Sequence, residues 1–330
     1  MDHPFPKSTS SAEKCKRLFE IVVPEDILGV LINADPDSIA SAIALKRLFW
    51  RRVKKTLIYR VNSIKRADNL ALIKSLKIDL KHIRKMDSAE ITKWAILDSQ
   101  PQHHEQLSRY DFDIIIDHHP PDPVSDAQFV DIKEEYGANS TIMTEYLRAS
   151  KIRPSPKLAT ALFYGIKTDT DNFTRPSTPN DINAFRYLYP FTNIQIIKKI
   201  ESSEITKKTL QSFQEAIENL KFIKDIACIY MGKVSSPDLL VIIADFFLKL
   251  AEANWCVVSG IYGQKLIVIF RNAGFRLNAG KIAQDLFGEL GTAGGHRNAA
   301  RAEVPLEALE AECPDGDAIE NFVLGKIKVI

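Results

Sequence analysis

Ile114-Ile115-Ile116-Asp117-His118-His119-Pro120-Pro121 decides how this chain is read. An unbroken apolar run closed by proline reads as a buried strand that stops abruptly. In α/β sheets, ligands bind at the carboxyl ends of strands. One carboxylate and two imidazoles therefore leave the core together at the edge where chemistry usually happens. A lone Asp or His at such an end caps a turn, so the meaning of the three together depends on the rest of the chain.

The pattern recurs upstream. Leu28-Gly29-Val30-Leu31-Ile32 reads as a buried strand, followed by Asn33-Ala34-Asp35-Pro36-Asp37-Ser38-Ile39-Ala40-Ser41-Ala42. Asp37 taken alone reads as the N-cap of the next helix, which leaves Asp35 unexplained. A later strand, from Trp94 to Leu97, ends in Asp98-Ser99. An apolar helix ends in Gly165-Ile166-Lys167-Thr168-Asp169-Thr170-Asp171-Asn172-Phe173.

Between these landmarks, strands alternate with helical segments. Helices are expected over 11–21, 37–52, 68–76, 139–150 and 156–168, with a strand from Thr56 to Val61. Another helix opens at Thr178-Pro179, with Thr178 as N-cap and Pro179 at the first helical position. The alternation predicts a parallel sheet covered on both faces. Residues 194–222 are mostly polar and helix-forming and read as connecting helices. Beyond them the strands 226–231, 255–260 and 266–270 alternate with helices over 237–251 and 278–290, a second and smaller α/β unit. The basic run Lys46-Arg47, Arg51-Arg52, Lys54-Lys55 reads as a solvated helix face and C-terminus.

The 330 residues are 45% apolar and 26% charged, a soluble globular composition with enough chain for two domains. A net charge of +2 excludes a protein that is basic overall and grips nucleic acid by charge alone, so any nucleotide site is local. Cys15, Cys228, Cys256 and Cys313 form no CxxC pair, which fits a reducing cytoplasm and no zinc or disulfide framework. The N-terminal Met1-Asp2-His3-Pro4 lacks a signal-peptide pattern, and residues 1–10 read as loose. Leu239 to Leu250 is too short and too charged to span a bilayer.

Carboxylates gathered at one sheet edge repel and raise one another's pKa, a conflict that a cation relieves. Oxygen-rich sites with some imidazole suit Mn²⁺ or Mg²⁺, and two such ions about 3.5–4 Å apart clamp a phosphoryl group under attack.

In this order, Asn-x-Asp-x-Asp-Ser-Ile-x-Ser-Ala, the strand-terminal Asp98, Asp-His-His-Pro and Gly-Ile-x-Thr-Asp-Thr resemble the four motifs of the DHH phosphoesterases. The resemblance covers about residues 25–180. That superfamily includes RecJ-type exonucleases, nano-RNase/pAp phosphatases, cyclic-dinucleotide phosphodiesterases and family II pyrophosphatases. Further on, Gly291-Thr292-Ala293-Gly294-Gly295-His296-Arg297-Asn298-Ala299-Ala300 resembles the GGGHxxAAG loop of the DHH-associated substrate domain, and Arg271 stands at the place of that domain's arginine. A Gly-rich loop offers backbone N–H groups to an anion, and Arg grips phosphate through paired donors.

The resemblance implies a bilobal α/β protein with its site in the cleft between lobes. A parallel-sheet DHH domain would occupy 1–195, a helical connector 196–222, and a DHH-associated α/β domain 223–330. It implies hydrolysis of short oligonucleotides or small nucleotides by metal-activated water. Asp35 and Asp98 would hold one ion. Asp37, Asp98, His118 and Asp169 would hold a second, with Asp98 bridging. Asp117 would orient His118, and His119 would meet the scissile phosphate. Arg271, Gly294, Gly295 and His296 would hold another part of the substrate. The cofactor would be Mn²⁺ or Mg²⁺, one ion or two. The partners would be the nucleotide substrate and, as one option, a second copy of the chain, with no membrane.

The chain departs from the family at Leu31, where the first motif begins with His. Ala34, Pro36 and Arg301 also replace the family's Pro, Gly and Gly. Three readings of Leu31 stand: a more weakly held first ion, an imidazole supplied by His103 or His104, or a nucleotide-binding protein without turnover. Hydrolysis of pyrophosphate or other inorganic polyphosphate is a further alternative, and the Gly295-His296 segment argues against it.

Overall fold

In the computed structural model, the described residues are 10–86, 91–121, 126–203, 207–274, 277–309 and 316–328. Most of the N-terminal stretch read as loose, and Cys313, lie outside them. The chain divides into two compact units, Met1–Glu204 and Ile205–Ile330.

The first unit contains α1 (Ser11–Glu20), β1 (Ile27–Ile32), α2 (Pro36–Leu48), β2 (Lys55–Arg60), α3 (Ala67–Ser75), β3 (Lys81–His82), β4 (Lys93–Leu97), β5 (Ile114–Asp117), β6 (Phe129–Ile132), α4 (Asn139–Ala149), α5 (Pro156–Asp169), α6 (Pro179–Leu188) and α7 (Ile194–Glu201). Its six strands run in the order β3-β2-β1-β4-β5-β6, and every pairing is parallel. This is a doubly wound order, and the direction of winding reverses between β1 and β4. The tips of those two strands carry Asp35 and Asp98.

Parallel strands are buried on both faces, and here the two faces differ. Leu28, Val30 and Ile32 point to the main core with Ala40, Leu45, Ile142, Leu162 and Ile166 of the helices. Leu31, Tyr59, Ile96 and Ile115 point the other way, against Leu107 and Phe112. That second face is covered largely by single turns and loops between strands, not by the helices expected. Gly29 lies on it beneath Trp94, whose ring atoms would come within 2.6 Å of an added Cβ.

Helix α2 stops at Leu48, four residues short of expectation, because the chain turns at Phe49 and Arg51 takes φ 63°. The basic residues beyond it therefore belong to a turn. Helix α7 buries Ile197 and Ile200 in this unit's core.

The second unit contains α8 (Lys207–Glu218), β7 (Lys221–Ile223), β8 (Ile226–Lys233), α9 (Pro237–Phe247), β9 (Trp255–Tyr262), β10 (Lys265–Asn272), α10 (Ala279–Phe287), β11 (Thr292–Gly295), β12 (Ala299–Pro305), α11 (Leu306–Leu309) and α12 (Gly316–Ile327). Its sheet order is β11-β12-β10-β9-β8-β7. Only β8 and β9 are parallel; the other pairs are antiparallel. One face packs on α9 and buries Phe213 and Ala216 of α8, and the other packs on α10 and the C-terminal helix.

The three described cysteines are free and buried. Among the described residues no helix is long and apolar enough to cross a membrane.

Candidate metal centre

The site is built at the sheet's reversal point. The turn after β1 is pinned by Asn62, whose side chain accepts from the Ala34 N–H at 2.9 Å and donates to the Ala34 carbonyl at 3.0 Å. Asp35, not Asp37, caps α2. Its Oδ1 accepts the Ser38 N–H at 2.8 Å, and its own N–H donates to Ser38 Oγ at 2.9 Å, a reciprocal capping box. Asp37 is thereby freed from capping. Lying in the first helical turn and only 1% exposed, it accepts N–H groups from Asn139 at 2.6 Å and Ser140 at 2.8 Å. Those N–H groups open α4, so the carboxylate sits at the positive end of that helix.

Helix α5 can approach this close because residue 165 is glycine. A Cβ there would lie 2.5 Å from Ser140 Oγ and 3.0 Å from Asp37 Oδ1. Asp169 ends the same helix, and the chain then turns through three consecutive residues with positive φ, Asp171, Asn172 and Phe173. Asp98 itself takes φ 58° as β4 ends, a conformation Asp tolerates better than most residues.

These pieces meet. One ligand atom each from Asp37, Asp98, His118 and Asp169 falls within a 4.8 Å span. His118 Nε2 lies 3.2 Å from Asp98 Oδ1 and 3.0 Å from Asp169 Oδ2. Neither Nε2 nor Asp98 Oδ1, both buried, has a well-directed hydrogen bond among the described residues. Buried polar atoms left so are rare. Three carboxylates and an imidazole directed at one point fit a hard divalent cation.

Electrostatics describes the same strain. Burial, then Asp169, pushes the Asp37 carboxyl up to about 7. Burial, then Asp35 and Asp37, holds Asp98 well above the usual carboxylate range. Asp35 is raised by burial and by Asp169. Burial opposes protonation of His118, but Asp169 and Asp98 outweigh it and lift the imidazole well above its ordinary value.

The two histidines are oriented differently from expectation. Asp117 does not orient the His118 ring; His118 Nδ1 lies 2.9 Å from the Tyr136 carbonyl, which points Nε2 at the carboxylates. Asp117 instead holds His119, whose Nδ1 is 2.8 Å from Asp117 Oδ1. Alternation along the chain explains this, since adjacent side chains leave on opposite sides. Asp117 is fully buried. Burial alone would raise its carboxyl, but the His119 and Gln100 hydrogen bonds outweigh burial and hold it below the usual range. Burial opposes protonation of His119, but Asp117 outweighs it and lifts the imidazole above its ordinary value. The His119 ring remains 38% exposed.

His103, Asp117 and His119 also lie close enough to share an ion. Both Asp117 oxygens accept hydrogen bonds, as both Asp37 oxygens do: Oδ1 from the His118 N–H and His119, Oδ2 from Gln100 Nε2. The Gln100 N–H donates to His103 Nδ1 at 3.2 Å, and the Gln106 N–H to His104 Nδ1 at 3.0 Å. Among the described residues neither histidine joins a ligand cluster with Asp35. Leu31 is fully buried in its apolar cluster.

In the second unit the Gly291–Ala300 segment is not an open loop. Thr292–Gly295 forms edge strand β11, with Gly294 opposite Arg301 and Gly295 opposite Ala300. The glycines allow close packing: a Cβ on Gly295 would sit 2.5 Å from the Ala299 carbonyl. His296 lies exposed in the turn, and its N–H donates to Ala299 O at 2.8 Å. Arg271 Nε binds Asp245 Oδ1 at 2.6 Å, and its Nη1 donates to the Phe270 carbonyl.

Gln100, the Tyr136 carbonyl and the α4 amides escaped the sequence reading. Gln100 follows Asp98 by two residues, which was a usable signal; a backbone carbonyl gives none.

A doubly wound parallel sheet with three carboxylates and one imidazole converging at its reversal point defines a metal-site α/β domain. Residues 29–166 match the family model described as DHH family, N-terminal domain, so this stretch carries a DHH-family N-terminal domain. It is 36% identical over 293 residues to the uncharacterized protein MJ1633 of Methanocaldococcus jannaschii, covering 88% of this chain and 60% of that one. It is 23% identical over 294 residues to an A-adding tRNA nucleotidyltransferase of Geobacter sulfurreducens, covering 84% of this chain and 32% of that one. The chain thus spans less than two thirds of either relative. The crystal structure of an exopolyphosphatase-related protein from Bacteroides fragilis superposes with a TM-score of 0.73 at 18% identity, covering 96% of this chain and 98% of that one. This likeness extends the shared fold to both units.

Proposed function

We propose that the chain is a metal-dependent phosphoesterase that hydrolyses short oligonucleotides or small nucleotides, with Mn²⁺ as the preferred ion. The observation that carries this reading is the convergence of Asp37, Asp98, His118 and Asp169 on one point, with His118 Nε2 and Asp98 Oδ1 buried and lacking directed hydrogen bonds. A divalent ion held there would supply Lewis acidity to a phosphoryl oxygen and to water. Asp37, anchored by two α4 amides, fixes one wall of the site. Asp98 and Asp169 supply the anionic oxygens, and the Tyr136 carbonyl keeps the His118 ring in place. His119, with Nδ1 engaged by Asp117 and its ring partly exposed, presents Nε2 to a phosphate oxygen or leaving group. Asp117 aims that imidazole and favours its protonated form. Asp35 borders the site as the cap of α2, and with Leu31, at the first-motif position, lacking a ligand atom we assign one tightly held ion. In the second unit Arg271, Gly294, Gly295 and His296 are assigned to hold another part of the substrate. We assign a reducing, cytoplasmic compartment on the free cysteines.

The test is product formation from labelled di- to pentanucleotides, pAp, cyclic dinucleotides, pyrophosphate and polyphosphate, with Mn²⁺ or with chelator. Mn²⁺-dependent cleavage of a nucleotide substrate, lost in Asp98→Asn, supports the reading. Nucleotide binding with no product from any substrate makes the chain a sensor and refutes it.

A further inference from the structure

Arg301 stands where the resembled glycine motif has its last glycine. It lies on β12 opposite Ile269, while Arg271 on β10 lies opposite Ala299. Residues 299 and 301 share a face, as do 269 and 271. Arg271 and Arg301 are therefore diagonal neighbours on one side of the sheet, about 7–8 Å apart along the backbone. Both line a groove of about 260 Å³ with Val241, Gly294 and Gly295, and they are the charged residues among those lining it. That volume is below the roughly 300–1,000 Å³ of pockets for drug-sized ligands, and it suits a compact group.

The two guanidiniums are only partly neutralised. Asp245 takes Arg271 through Nε, while Glu303 is shared between Arg301 at 2.7 Å and Lys265 at 2.9 Å. Three cations thus face two carboxylates, leaving one positive charge over. The Arg301 side chain is 42% exposed, so its planar donors are accessible from solvent. Two arginines lining a groove of this size match the charge of a dianionic phosphate better than a bridging diester, which carries one charge.

Resting on the phosphoesterase reading, we infer that Arg301 is a specificity-determining residue: with Arg271 it recognises a terminal phosphomonoester, so the substrate class is short nucleotides bearing an unbridged phosphate. A purely structural Arg301, tied to Glu303, would not discriminate between termini.

The experiment measures equilibrium binding of ApA, 5′-phosphorylated pApA and 3′-phosphorylated ApAp to the full chain in chelator, where no turnover occurs. Wild type is expected to bind pApA or ApAp about 10- to 100-fold more tightly than ApA, the range of a charge-assisted hydrogen bond. Whichever ligand is preferred identifies the end that is read. Arg301→Gln keeps most of the stem and is expected to lose that preference while its ApA affinity holds; Arg301→Lys is expected to keep part of it. Equal binding of all three by wild type, or an undiminished preference in Arg301→Gln, overturns the inference. Absence of Mn²⁺-dependent cleavage alongside an intact, Arg301-dependent preference counts against the phosphoesterase reading alone.

Discussion

Raising the pH from about 5 to about 8 in chelator is expected to weaken the first unit. Asp37 is 1% exposed, and its carboxyl is pushed from an ordinary 3.8 up to about 7. A group whose pKa is higher in the folded state stabilises that state below its unfolded pKa and loses the contribution as pH rises through the folded value. The gap is about 3 pH units, and at 1.36 kcal/mol per unit it corresponds to about 4 kcal/mol. Asp35, Asp98 and His118 are raised too, so they act in the same direction. Asp117 and Glu145 are lowered; their stabilisation is lost only as pH falls below the usual carboxylate range, outside this window. Part of this is already lost below pH 5; about 2 units, or about 3 kcal/mol, falls between pH 5 and 8, which for a unit the size of residues 1–204 corresponds to about 8 °C in Tm. The assay is thermal unfolding across this pH range in chelator and in saturating Mn²⁺. The ion requires deprotonated ligands and stabilises by about 2.7 kcal/mol at a hundred times its Kd, so it should add most to Tm at the alkaline end. In Asp37→Asn the slope in chelator should flatten. A Tm in chelator that is level or rises from about pH 5 to 8 refutes the reasoning.

Three further outcomes are expected. Gly165→Ala places a methyl against Ser140 Oγ and Asp37 and should weaken Mn²⁺ binding by about 10-fold or more, measured by calorimetry. Asp117→Asn removes the carboxylate from His119 and should lower kcat by about 10- to 100-fold with Mn²⁺ affinity nearly unchanged; an equal loss of both would contradict the division of roles. Leu31→His buries an imidazole among Tyr59, Ile96 and Ile115, should cost about 2 kcal/mol of stability, and should raise the Mn²⁺ stoichiometry from one toward two.

The strand tips were legible because each is an apolar run that ends in a carboxylate, and a parallel sheet brings such ends to one edge. Asp35, Asp37, Asp98 and His118 could therefore be named from sequence, and Asp169 from the apolar helix that it ends. The division of labour between them could not. Which of Asp35 and Asp37 caps α2 depends on Ser38 closing the box, one residue after Asp37. Which histidine Asp117 serves depends on alternation at a strand end that could turn either way. β3, with two residues, and β6, with a charged Asp131 buried against Lys14, carry too little apolar pattern to announce themselves. The glycine segment looked like an anion loop because Gly permits a tight turn, but it equally permits a strand pressed close against a hairpin partner.

The central claim is that Asp37, Asp98, His118 and Asp169 hold one divalent ion. Anomalous diffraction at the manganese edge from an Mn²⁺-soaked crystal tests it most directly. One strong peak bounded by those four side chains is expected, absent in Asp98→Asn. No peak there, or a peak among His103, Asp117 and His119 instead, would contradict it.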